Sequence, residues 1–123
     1  MLREMLKSKI CGATVTGKEM GYSGSITLGR RLIREADILP GEKVHVLNLN
    51  NGARIETYAI EGKNPREVVL NGPAARCGEI GDRLFILSYC LLEDSEAGKP
   101  RSRARIVHLG EGNRLKRPGR KGR

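Results

Sequence analysis

Six stretches of the chain alternate apolar and polar residues or concentrate β-branched side chains: KICGATVTG from residue 9, EKVHVLNLN from 42, ARIETYAI from 53, EVVLNG from 67, DRLFILSYCLL from 82 and RARIVHLG from 103. A period of two sends successive side chains to opposite faces, so each stretch reads as a strand with one face to bury. Asn50, Asn51 and Gly52 separate the second stretch from the third. Asn and Gly accept the positive φ angles of a hairpin turn, so this pair is expected to be a hairpin. The one helical pattern is GRRLIREADI from residue 29, with Leu32, Ile33 and Ala36 on one face and Pro40–Gly41 as the stop. Six or more short strands with one small helix imply a closed β-barrel, because an open sheet of this size would leave its edges unpaired.

At 123 residues the chain is one domain by size. Aromatic residues make up only 3%, so the core has to be built from Val, Ile, Leu and Ala. No run of 18 apolar residues occurs, and MLREMLKSKI at the start carries charges where a signal peptide needs an apolar segment. A soluble, cytoplasmic protein without membrane contact is the expectation. Cys11, Cys77 and Cys90 show no Cys-x-x-Cys spacing, which predicts free thiols and no metal site. The net charge of +9 is unevenly placed: residues 1–96 hold 13 basic and 13 acidic side chains, whereas residues 97–123 hold 10 basic ones and only Glu111. This predicts a neutral domain over 1–96 and a basic, partly disordered extension over 97–123. Binding of nucleic acid is not expected of the neutral body and rests only on that extension.

Candidate chemistry begins at GYSGSITLG, residues 21–29, where Ser25 follows Gly24 outside any Gly-x-Ser-x-Gly pattern. His45 and His108 both fall in strand patterns, so no hydrolase triad assembles around this serine. In RIETY, a regular strand puts Arg54, Glu56 and Tyr58 on one face and Thr57 on the other. Read plainly, this is a solvent-facing edge with an Arg54–Glu56 contact. A site using Arg54, Thr57 and Tyr58 together requires a bulge or a barrel rim. LNGPAAR, residues 70–76, reads as a tight Asn-Gly turn whose small residues leave the backbone approachable to an anion.

Taken in order, KSKICGATVT, YSGSIT, NLNNGARIETYAI and LNGPAARCGEIGDRLFILSY resemble the pyruvoyl-dependent aspartate 1-decarboxylase family over about residues 1–92. The resemblance implies an all-β fold, a six-stranded double-psi β-barrel with small helices. It also implies decarboxylation of L-aspartate to β-alanine and carbon dioxide, a step of pantothenate biosynthesis. A related acidic amino acid is the alternative substrate, and a noncatalytic barrel that binds nucleic acid through its tail is the weaker alternative function.

The same resemblance implies that Ser25 attacks the Gly24 carbonyl, that the resulting ester breaks by β-elimination, and that hydrolysis leaves a pyruvoyl group as a covalent cofactor. Gly24 suits the upstream position because it tolerates strained dihedral angles. Thr57 is implied in self-processing and in substrate binding, and Tyr58 as the catalytic proton donor. Lys9 and Arg54 are implied as cations for substrate carboxylates, and Tyr22, Asn71, Gly72, Pro73, Ala74 and Ala75 as the lining of the pocket. A homotetramer with sites between subunits follows as the expected assembly. The chain departs from the family's usual pattern at Cys11 and Gly12, where histidine and arginine are usual. It departs again at Gly29, where an acid is usual, and at Pro73, where alanine is common and whose ring removes an amide donor.

Overall fold

The computed structural model describes residues 1–116. Eight strands occur in chain order: β1 (Leu2–Thr14), β2 (Gly17–Glu19), β3 (Ser25–Gly29), β4 (Lys43–Asn48), β5 (Arg54–Gly62), β6 (Val68–Asn71), β7 (Arg83–Glu93) and β8 (Arg105–His108). The sheet order is β2-β6-β3-β5-β4-β7-β1-β8. The ring closes because β2 continues β1 through Val15 and Thr16. Ile10 of β1 stands opposite Ile86 of β7, while Lys18 of β2 stands opposite Leu70 of β6. The Thr16 amide donates to the Val68 carbonyl at 2.8 Å across the seam. Counting β1 and β2 as one stave, with β8 added alongside β1 outside the ring, leaves the six-stranded barrel that the resemblance implies.

The core agrees with the composition. Its buried apolar residues are Ile, Leu, Val and Ala throughout, with Ile10, Ile26, Leu28, Val44, Val68, Leu70 and Ile86 fully enclosed. The hairpin at Asn50–Gly52 also forms, because Asn48 Oδ1 accepts the Asn50 amide at 2.7 Å and Gly52 takes φ 78°.

Several boundaries differ from the sequence pattern. β1 begins at Leu2 rather than Lys9, because residues 2–6 pair with Tyr89–Glu93 in a ribbon whose alternation is masked by charged positions. β3 lies outside the six strand patterns. The helix α1 (Arg30–Glu35) is shorter than its pattern and ends before Asp37, which takes φ 55° well ahead of Pro40. LNGPAAR is not a simple turn: Gly72–Cys77 forms a 3-10 helix with Pro73 in its first turn, where a missing amide does no harm.

The extension expected from residue 97 is tied into the barrel as far as residue 116. β8 pairs in parallel with β1, Val107 and Leu109 join the core, and buried Asn113 holds three backbone groups. Two apolar side chains and one amide outweigh the local charge that suggested disorder. The remainder of that expected extension, 117–123, lies outside the described residues.

Candidate active site

β3 begins at Ser25, and its first residues fix the geometry of the preceding loop. Gly24 takes φ 134° and Ser25 takes φ 157°. Such a value in a non-glycine residue costs about 1–3 kcal/mol and persists only where the surroundings hold it. Here Ser25 is fully buried and pairs with Asn71 across the β3–β6 ladder. The Asn71 amide nitrogen donates to Ser25 Oγ at 2.8 Å and to Thr27 Oγ1 at 2.8 Å. Asn71 Oδ1 is buried without a partner among the described residues. An unpaired buried acceptor is uncommon in a folded protein.

Gly72 brings the 22–24 loop onto the start of the 3-10 helix. At φ 60°, a Cβ on this residue would lie 2.3 Å from the Tyr22 carbonyl oxygen and 2.7 Å from the Gly24 nitrogen. Pro73 Cδ closes the other side, 3.4 Å from where a Gly24 Cβ would stand. Ala74 and Ala75 are buried beneath this junction. Tyr22, Thr27 and Asn71 line a cavity of about 440 Å³ whose far wall includes Ile60, Glu61 and Val69.

β5 supplies the other candidates. It pairs with β4 in unbroken register, so no bulge gathers Arg54, Thr57 and Tyr58 on one side. Arg54 and Tyr58 are exposed on the outer face, and half-buried Thr57 faces the opposite way beside Val44. Ala59 pairs with Ile26, so one step back along the same ladder sets Tyr58 beside Ser25. The Arg54–Glu56 contact of the plain reading does not form. Arg54 instead reaches His45 Nδ1 at 3.2 Å, and Glu56 pairs with Lys43 at 3.3 Å.

Thr57 faces the opposite side of β5, whereas within one chain Gly24, Ser25, Tyr58, Asn71, Gly72 and Pro73 converge, with Tyr22 adjoining. Lys9 and Arg54 do not. Arg54 stands four residues along β5 from Tyr58, about 13 Å away at the usual rise. Lys9 is three strands further across the outer face, where its ammonium lies 4.5 Å from the centre of the Phe85 ring.

The departures at Cys11, Gly12 and Gly29 have local physical readings. Burial pushes the Cys11 thiol above its ordinary pKa, and the nearby Lys9 charge offsets part of that. Gly12 forms a bulge at φ 83°, and a Cβ there would meet the Arg83 guanidinium at 2.8 Å. A guanidinium from the next strand thus fills the space beside position 12. At Gly29 a Cβ would fall 2.1 Å from the Pro65 carbonyl oxygen, so no acid fits while the 65–66 backbone packs there.

Thr27 was not among the residues singled out by motif. It lies two positions after Ser25 and so on the same face, a signal legible only once SITLG is read as a strand.

A family model described as aspartate decarboxylase matches residues 1–116. The chain is 56% identical over 94 residues to an aspartate 1-decarboxylase of Francisella tularensis subsp. novicida (strain U112), covering 76% of this chain and 85% of that protein. It is 54% identical over 97 residues to the aspartate 1-decarboxylase of Coxiella burnetii (strain RSA 493 / Nine Mile phase I), covering 78% and 87%. It is 46% identical over 115 residues to that of Thermoanaerobacter pseudethanolicus (strain ATCC 33223 / 39E), covering 93% and 97%.

Proposed function

The chain belongs to the aspartate decarboxylase family, and from that membership we propose that it converts L-aspartate to β-alanine and carbon dioxide on a pyruvoyl group made from its own Ser25. The observation that carries this reading is the Gly24–Ser25 junction: a buried serine with positive φ behind a glycine, its Oγ held by an amide. The residues present fit the group. Gly72 leaves room only for backbone against residues 22–24, and the free Asn71 Oδ1 offers a buried acceptor at the same point. The pyruvoyl ketone supplies an electrophile for the substrate amine and an electron sink when the α-carboxylate leaves.

The chain's own side chains do the rest. The planar fork of Arg54 pairs with a substrate carboxylate through two parallel hydrogen bonds, and Lys9 adds a second cation. The Tyr58 hydroxyl, beside Ser25 on the neighbouring strand, returns a proton to the carbon that has lost its carboxylate. For Thr57, which faces the opposite side of β5 from Tyr58, the role of oxyanion donor to the Gly24 carbonyl during self-processing is carried over from the family pattern. Tyr22, Asn71 and the Gly72–Ala75 segment shape the pocket.

Lys9 and Arg54 lie too far from Ser25 in their own chain to share a substrate with it, so each site draws them from a neighbouring subunit of a homotetramer. The test is β-alanine production by the purified chain, by Ser25→Ala, by Arg54→Ala, and by the two variants co-expressed. The unmodified chain turns over aspartate, and each variant alone is silent. The mixture recovers about a quarter of the activity, because random assembly pairs an intact Ser25 with an intact Arg54 at about one site in four. A silent mixture overturns the shared site. A silent unmodified chain overturns the decarboxylase reading.

A further inference from the structure

The Asn71 carboxamide has two N–H groups, and both are committed: one to Ser25 Oγ and one to Thr27 Oγ1, each at 2.8 Å. The assignment is the economical one. Turning the amide over would bury two unpaired donors in place of one unpaired acceptor. Ser25 and Thr27 lie two residues apart on β3, so their hydroxyls leave the same face and bracket Asn71 on β6. Asn71 has no freedom left about its amide torsion while Thr27 accepts its second proton. Thr27 is itself half-buried and lines the same cavity as Asn71 and Tyr22.

We propose that Thr27 is a positioning residue for self-cleavage: its hydroxyl fixes the Asn71 amide so that one N–H stays aimed at Ser25 Oγ through the elimination step. The role rests on the self-processing reading above. In the first step Ser25 Oγ bonds to the Gly24 carbonyl carbon, the Gly24–Ser25 C–N bond breaks, and the hydroxyl proton passes to the freed amine. In the second, the Ser25 Cα proton is removed and the Cβ–Oγ bond breaks, so Oγ departs as part of the Gly24 carboxylate and dehydroalanine remains. Water then converts that enamine to the ketone and releases ammonia. Negative charge collects on Oγ only as it leaves, and a donor already aimed there stabilises that transition state more than the ground state. Without Thr27 the amide turns, and the ester is left to plain hydrolysis, which yields a serine-ended fragment instead.

The test compares the unmodified chain, Thr27→Val and Thr27→Ser by intact mass over time, with thermal melting to confirm folding. Valine keeps the shape and removes the acceptor; serine restores it. Thr27→Val is expected to cleave about five- to tenfold more slowly, the effect of one neutral hydrogen bond. The serine-ended share of its larger fragment should also rise at the expense of the pyruvoyl-ended share, and Thr27→Ser should reverse both changes. A general loss of packing would slow cleavage without shifting that partition. Unchanged rate, or slower cleavage with an unchanged partition, overturns the role of Thr27 and leaves self-processing standing. An unmodified chain that never cleaves removes the reading on which the proposal rests.

Discussion

Gly72 shows how much of the site depends on an atom that is absent. With φ 60° and three backbone atoms inside 3 Å of any Cβ, position 72 admits glycine alone without movement of the 22–24 loop. Gly72→Ala is therefore expected to lower stability by about 2–4 kcal/mol, read as a fall in melting temperature, and to slow cleavage by displacing Gly24 from Ser25 Oγ. Retention of both the wild-type melt and the wild-type maturation rate would show that the loop moves freely. At this scale the sequence was partly legible. The period of two placed Arg54 and Tyr58 on one face and Thr57 on the other, as observed. The Asn71 fork and the reach of Arg54 to His45 were not legible, because both depend on cross-strand partners that no local pattern names.

β8 is the element whose sequence sent two signals at once. RARIVHLG has the alternation of a strand, yet it sits among the basic residues that suggested a solvated extension. Packing decides the matter, since Val107 and Leu109 are nearly fully buried and β8 occupies the free edge of β1. A chain ended after Ala104 loses these two side chains and the Asn113 clamp, about 3–6 kcal/mol of apolar burial alone. Its melting temperature should fall by at least about 10 °C, or it should not fold. A chain ended after Lys116 keeps all three and is expected to melt and turn over aspartate like the full chain. Equal melting of the two truncations would contradict the role given to β8. β3 is hard to see in the sequence for the opposite reason. Five residues between a glycine-rich loop and a helix carry too little periodicity to stand out, although they hold the serine on which the site turns.

On the scale of the molecule, the barrel explains why Ser25 and the two cations proposed for the substrate, Lys9 and Arg54, occupy different places. Closure through the β1–β2 stave puts Ser25, Asn71 and Tyr58 at one part of the outer wall, while Lys9 lies across β4 and β7 from them. A closed barrel of apparent fold class could be read from six strand patterns, but the crossing of its staves could not, because parallel pairs such as β3–β5 join segments about 30 residues apart with no local signature. The central claim is that this wall converts its own Gly24–Ser25 peptide bond into the group that decarboxylates aspartate. The intact mass of the purified, warmed chain tests it most directly. The account predicts two fragments, 1–24 and 25–123, with the larger one lighter by one ammonia than a serine-ended chain. A single species at the full-length mass after prolonged warming would contradict it.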